Sequence, residues 1–450
     1  MLLVLIFIVL IIANNIESNR SENIYSSYKC IGGNDYPQDA MKRHCVFHNL
    51  CHKAGEGDIL HYYVNNRLPR KPVLVHSNIY QYEFGDNFLQ LGTFEKFSKQ
   101  WGPSISYEPV PSSFPYDNSS RAMFYQSFGE TNPGHFFDFL HSVYALPALL
   151  GYQPSTDIKV LTHSQSYYVR KHRAQLLSAL TQYEPVQLKD VGDVCFNTVF
   201  AGAGSLSMLE GSTFASITGI NMRDYILQNL NFTEQTDSDI QRHAIIILKK
   251  AIDDKSSDGK GSSNNFNHFT NHNDLVSYLS GKLKGIAEVI GLLPDNMSWS
   301  EQIAIIRKAS VIVTPPGGIA FLAMFAREGV SLIISDKNYR GVTVREVSLV
   351  GSDDNWWSNV QRAFNFLHYP VCNSWENDGD ITITLHRMYY VIILGMFLVE
   401  NEQVGFNITS KVSEIWPKVT NSTFSGEVDV CALTEENFPI KRWEVRENHY

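Results

Sequence analysis

Short, wholly apolar runs alternate with amphipathic stretches along this chain, and the alternation occurs twice. No other feature restricts the fold as strongly, because strand and helix in strict alternation call for βαβ units around a parallel sheet. In the first series, Phe136, Phe139, Leu140, Val143, Leu146 and Leu149 recur at helical spacing up to Gly151, which ends the run. Asp157-Ile-Lys-Val-Leu161 then reads as a buried strand, Tyr167 to Leu180 as a helix, and Val194 to Phe200 as a strand. The series restarts beyond a hinge-like region near Asn231. His243 to Leu248 is a continuous apolar strand, Asp253 to Asn273 a polar loop, and Asn273 to Leu283 a helix. A strand over Gly285 to Gly291 follows, then a helix over Ser300 to Ser310 opened by Ser298 or Ser300, and a strand over Val311 to Val313. A helix over Ala320 to Arg327 and a strand over Val330 to Ile334 close the series.

The expected fold is therefore α/β and GT-B-like, with two Rossmann-like lobes and a cleft between them. Such halves put a ligand at the carboxyl ends of their strands. Residues 1–20 are expected to be a signal peptide or short anchor, and 21–118 a disulfide-stapled N-terminal segment. Residues 119–232 would form the N-terminal lobe and 233–371 the C-terminal, nucleotide-sugar-binding lobe. Residues 372–450 are read as a return segment completing the first lobe or as a small appended module.

Compartment is read from the ends and the cysteines. Met1 to Ala13 is apolar throughout and a polar run follows at once, as in a secretory h-region. Thirteen residues fall short of the roughly 20 that cross a bilayer, which favours a cleaved signal over an anchor. The apolar run Tyr389 to Val399 is too short to span and reads as a buried element. Asn-x-Ser/Thr sequons stand at Asn19, Asn118, Asn231, Asn296, Asn407 and Asn421. Cys30, Cys45, Cys51, Cys195, Cys372 and Cys431 are an even set suited to disulfides in an oxidising lumen, in a connectivity that spacing leaves open. A net charge of −9 gives no basic footprint for nucleic acid.

The segment Glu301 to Phe325 runs helix, strand, glycine turn, helix. Gly317 and Gly318 let the backbone approach a phosphate while the next helix offers free N–H groups, a plausible diphosphate cradle. A tight turn with no ligand explains the glycines equally well.

This order of elements resembles the closing motif of glycosyltransferase family 61, which includes the EGF-domain-specific O-GlcNAc transferase, a protein O-mannose N-acetylglucosaminyltransferase and plant xylosyltransferases. Asn132-Pro-Gly-His-Phe-Phe-Asp-Phe-Leu140 is similar to the family's Asn…His…Asp helix start, and Val194 to Gly202 to its middle strand. The match runs from about Cys45 to Asp336. Where many members carry His-Gly-Ala, this chain has Pro316-Gly317-Gly318, and where they tend to have Arg after the second-lobe strand it has Lys249 and Lys250.

The resemblance implies an inverting transfer of a GlcNAc- or xylose-type sugar from a UDP-linked donor to a glycan or glycoprotein hydroxyl. Such transfer needs a base for the acceptor hydroxyl and groups that stabilise the leaving diphosphate. Asp138 and His135, three apart at a helix start, are the candidates for the first role; a helix-start carboxylate and a capping group are the structural alternative. Lys249, Gly317 and Gly318 are candidates for the second, with Glu301 a ribose partner. The Pro316 departure motivates an alternative, a catalytically degenerate lumenal sugar- or glycoprotein-binding protein; an unrelated two-lobed binding protein is a third reading. Asp237-Ser-Asp239 and Asp378-Gly-Asp380 follow no apolar strand, so no divalent metal is expected. His44, His48 and His52 with Cys45 and Cys51 form a set that could hold zinc on a helix face, though disulfides suit the compartment better. Gly202-Ala-Gly204 lacks the third glycine of a dinucleotide site, and no Gly-x-Ser-x-Gly elbow is present.

Overall fold

The computed structural model describes residues 24–31, 44–65, 71–76, 79–84, 87–88, 91–92, 100–125, 133–162, 171–202, 213–232, 243–249, 268–294, 297–316, 318–335, 364–369 and 381–400. The apolar N-terminus, the loop at 253–267, both Asp-x-Asp pairs, Cys372, Cys431, Asn19, Asn407 and Asn421 lie outside these residues, as do Asn296 and Gly317.

The first half is an eight-stranded sheet. Its strands are β1 (Ser27–Ile31), β2 (His44–His52), β3 (Leu60–Tyr63), β9 (Ser104–Ser106), β10 (Arg121–Tyr125), β11 (Ile158–Thr162), β12 (Val186–Gln187) and β13 (Val194–Gly202). Between β3 and β9 the chain forms a small sheet of β4 (Lys71–His76), β5 (Ile79–Phe84) and β6 (Asn87–Phe88), and a pair, β7 (Leu91–Gly92) with β8 (Gln100–Trp101). The order β12-β11-β10-β13 is parallel, and β2 joins it antiparallel to β13. β1 and β3 share the other edge of β2. The N-terminal stapled segment is thus built into the first sheet. Two disulfides fix it there: Cys30–Cys45 joins directly opposed residues of β1 and β2, and Cys51–Cys195 does the same for β2 and β13, 144 residues apart in sequence.

Helices α1 (Pro133–Leu149), α2 (Lys171–Ser178) and α3 (Thr213–Asn229) accompany this sheet. α1 ends in a Schellman turn: Gly151 takes φ +89°, its N–H bonds the Ala148 carbonyl, and Tyr152 N–H bonds the Pro147 carbonyl. α3 ends in the same way with Asn231 at φ +58° in the glycine's place, bonded to Gln228, and Phe232 bonded to Leu227.

The second half is a wholly parallel sheet of β14 (His243–Leu248), β15 (Ala287–Leu292), β16 (Val311–Thr314), β17 (Ser331–Ser335) and β18 (Asn365–Tyr369), in the order β15-β14-β16-β17-β18. β14, β16 and β17 are buried at every position, which is why they are apolar apart from His243, Thr314, Ser331 and Ser335 at their ends. α4 (His272–Lys282) follows β14, and α5 (Trp299–Ile306) follows β15. Ser298 opens α5 with a capping box, its hydroxyl accepting from Glu301 N–H while Glu301 accepts from Ser298 N–H at 2.8 Å.

Two expectations are corrected. The helix expected at Ala320 to Arg327 is a 3-10 helix over Gly318–Phe325. Its end is pinned where Arg327 Nε donates to the Arg307 carbonyl at 3.0 Å, and the longer rise of 3-10 winding lets eight residues span the distance from β16 to that anchor. The second concerns the C-terminus: α6 (Leu385–Glu400) contains the apolar run, buried as expected, yet it lies on β16, β17 and β18 and beside α4. Within the described residues it completes the second half and is not a return to the first. Ser331 Oγ donates to the Gly395 carbonyl at 2.7 Å, and a Cβ at Gly395 would stand 3.1 Å from the Ser331 Cβ, so this glycine permits the close approach.

Candidate functional site

In the second sheet the first strand lies between the second and third, so the connections leaving β14 and β16 go to opposite faces. α4 packs on β15 and against α6; the 3-10 helix packs on α5, α1 and α3. The carboxyl ends of β14 and β16 are the point at which the strand order reverses, the position where open α/β sheets bind ligands. Lys249 stands at one end, continuing the ladder through its N–H to the Leu292 carbonyl at 2.8 Å. Its ammonium has no carboxylate partner among the described residues and reaches only Asn273 Oδ1, at 3.5 Å. Thr314, Pro315 and Pro316, all buried, stand at the other, and Gly318, half-buried, opens the 3-10 helix. Thr314 Oγ1 donates to the Pro315 carbonyl at 2.9 Å, holding the strand exit.

The first half meets this edge through α1. α1 leaves the carboxyl end of β10, as the 3-10 helix leaves that of β16, and their first turns touch. Phe137 packs on Phe321, Phe325 and, edge-on, on Trp299 at the start of α5. Gln175 of α2 donates to Ser300 Oγ at 2.7 Å, and Arg223 of α3 pairs with Glu328 at 3.2 Å. Positions 135 and 138 belong to the opening turns of α1, so the expected catalytic pair and the glycine turn belong to elements in direct contact. The side chains of His135 and Asp138 lie outside the described residues.

Glu301 has a different place. Its fully exposed carboxylate accepts from the Ser298 hydroxyl and backbone N–H, and these bonds hold it below the usual carboxylate range. The geometry gives it a capping role at α5.

The His and Cys set expected to share a helix face is a strand, β2, and both its thiols are consumed in disulfides. His52 instead faces the Gly57 carbonyl at 2.9 Å and the Gly192 carbonyl at 3.2 Å. His48 Nδ1 lies 3.2 Å from the Asn197 carbonyl. Two other histidines, which sequence reasoning did not single out as site residues in their own right, are buried. His141 of α1 bonds Thr218 of α3 at 2.9 Å, and burial, opposed by that bond, pushes its imidazole down to about 3. His44 opens β2 directly opposite Gly202, and burial pushes it down to about 4. Only strand register reveals its position, since 158 residues separate the two partners in the sequence (202 − 44).

Of the glycosylation candidates, Asn118 and Asn231 are exposed.

Two α/β halves that meet through a helix following β10 and a 3-10 helix following β16 form a two-lobed α/β class of architecture. Residues 134–333 match the family model described as Glycosyltransferase 61, so this region is a glycosyltransferase family 61 domain and the chain carries it as a glycosyltransferase. No curated protein matches the chain. Among solved structures it is similar to the iron-containing dodecameric glycosyltransferase TibC from enterotoxigenic E. coli H10407, at 10% identity, covering 57% of this chain and 76% of that one with a TM-score of 0.26. It is also similar to the E. coli heptosyltransferase WaaC with ADP, at 11% identity, covering 48% and 86% with a TM-score of 0.20.

Proposed function

We propose that the chain is an inverting glycosyltransferase of the secretory lumen that moves a sugar from a UDP-linked donor to a hydroxyl of a glycan or glycoprotein. The observation that supports this reading is the parallel pairing of β14 with β16, with Ile247 opposite Val313, so that Lys249 and Pro315 each follow their partnered residue by two positions at the carboxyl ends of adjacent strands. An unneutralised ammonium next to a glycine turn suits a diphosphate. In the reaction, the acceptor oxygen attacks the anomeric carbon from the face opposite the nucleotide. The bond from that carbon to the diphosphate oxygen breaks with its electron pair, and the acceptor proton passes to a base, for which Asp138 and His135 are the candidates. Lys249 and the turn's backbone N–H groups stabilise the charge gathering on the leaving diphosphate. The two cross-strand disulfides and the sequons support a lumenal or secreted location.

A panel of nucleotide sugars tests this. A donor present at 100 times its Kd should stabilise the purified protein by about 2.7 kcal/mol. Release of nucleoside diphosphate should follow with a glycan acceptor, persist in chelator and be abolished by Asp138→Asn. Stabilisation without release would favour the degenerate, sugar-binding reading prompted by Pro316. The absence of any shift with any donor would remove both.

A further inference from the structure

We propose that His44 is an acceptor-binding residue, its Nδ1 forming a hydrogen bond to a hydroxyl of the acceptor glycan; this rests on the transferase reading above. His44 is 4% exposed and its Nδ1 has no hydrogen-bond partner among the described residues. A buried polar atom left unsatisfied is costly, so an atom kept in that state calls for a partner that arrives later.

The register says where that partner would stand. β2 runs antiparallel to β13, and His44 pairs with Gly202, the last residue of β13, so the imidazole belongs to the carboxyl edge of the parallel strands. Val46, two residues on and therefore on the same face, packs in the core that contains Tyr125, Phe136 and Phe139. His44 thus shares the sheet face that α1 covers, at the edge from which α1 departs. Its cross-strand neighbour is a glycine, so no side chain of β13 stands beside the ring. The Cys30–Cys45 disulfide clamps the adjacent position to β1, with Ile31 opposite His44.

The chemistry of that edge favours a neutral ligand. Besides His44, the last residues of β10, β11, β12 and β13 are Tyr125, Thr162, Gln187 and Gly202, none of them charged. The ammonium with no carboxylate partner among the described residues belongs to the other half, at Lys249, the proposed diphosphate partner. Burial keeps the His44 imidazole uncharged across the pH range of a secretory lumen. A hydroxyl can donate and accept, so it satisfies Nδ1 in either neutral tautomer.

The test uses the full lumenal chain and two reactions: donor hydrolysis by water, and transfer to a panel of benzyl glycosides of mannose, xylose, galactose and fucose. His44→Leu should raise the acceptor KM about tenfold, the worth of one hydrogen bond, and leave donor affinity and donor hydrolysis unchanged. His44→Asn, whose amide reaches the position of Nδ1, should stay within about threefold of the parent. If His44→Leu shows no melting transition, His44→Phe keeps the ring volume and takes its place. An unchanged acceptor KM in the Leu or Phe variant overturns the proposal. So does an equal loss of hydrolysis and transfer, which would mark a structural role. If the parent protein neither hydrolyses a donor nor releases nucleotide with any glycoside, the transferase reading itself fails and this proposal falls with it.

Discussion

Phe137 and Phe321 stack with ring centroids 5.6 Å apart and planes 17° from parallel, joining the first helix of one half to the 3-10 helix of the other. Phe137 is 2% exposed and also meets Trp299 edge-on at 5.7 Å. Truncating a buried phenylalanine costs about 3–5 kcal/mol. Phe137→Ala should therefore lower stability by about that amount and separate the halves into two denaturant transitions, followed by fluorescence. A single transition at the parent midpoint would show that the stack contributes little.

One glycosylation candidate, Asn231, and the sequon serine of another, Ser298, stand at helix ends, and this changes how their removal must be read. Asn231 occupies the left-handed position that closes α3, where a residue other than Gly or Asn costs about 1–2 kcal/mol. Asn231→Gln should lower stability by about that amount, whereas Asn231→Gly should remove the sequon and keep the helix end. Equal melting temperatures for the two variants, produced without glycosylation, would contradict the capping role.

Ser298 completes the sequon of Asn296 and also caps α5. Ser298→Ala should cost about 1 kcal/mol even in unglycosylated protein, and Ser298→Asp should restore most of it while still preventing glycosylation. Mass spectrometry and thermal unfolding on the same samples separate the two effects.

The buried histidines set a direction for pH. His141 is held at about 3 when folded and returns to its ordinary 6.5 when unfolded, and His44 to the same value from about 4. Between those limits the unfolded chain binds more protons, so the stability present above pH 6.5 is lost as pH falls toward the folded values. The slope is at most about 1.4 kcal/mol per pH unit for each histidine. His141→Gln, which keeps a polar group for Thr218, should flatten the curve between pH 6.5 and 4. A slope equal to the parent's would show that His141 is not its source.

The Cys51–Cys195 bridge closes a loop of 144 residues. Replacing both cysteines with alanine should cost about 2–4 kcal/mol, measured by denaturant unfolding under non-reducing conditions. A change under about 0.5 kcal/mol would place the constraint elsewhere.

Local pattern carried the fold where one periodicity dominated. His243 to Leu248 is a strand at its expected bounds because a central parallel strand is apolar on both faces. α1 and α4 came within a few residues for the same reason, their stripes matching 3.6 residues per turn. Gly318–Phe325 misled because an element wedged between two halves is apolar all round, so no stripe distinguishes α from 3-10 winding. The place of β2 was not legible, since nothing near His44 names Gly202 as its partner. Glu301 stood out as the acidic residue of a motif, and only the Ser298 bonds assign its carboxylate to the helix end.

The strand bearing His44 to His52 is made early and is completed late. Its neighbour over Val194–Gly202 leaves the ribosome well over a hundred residues afterwards, so through that interval one side of the strand has no ladder to join. Cys45 can close on Cys30 soon after synthesis, while Cys51 must wait, with a thiol six residues upstream as a competing partner until the first bridge has formed. The pairing thus orders the two bridges during synthesis: Cys30–Cys45 can close once residue 45 is made, and Cys51–Cys195 only after residue 195.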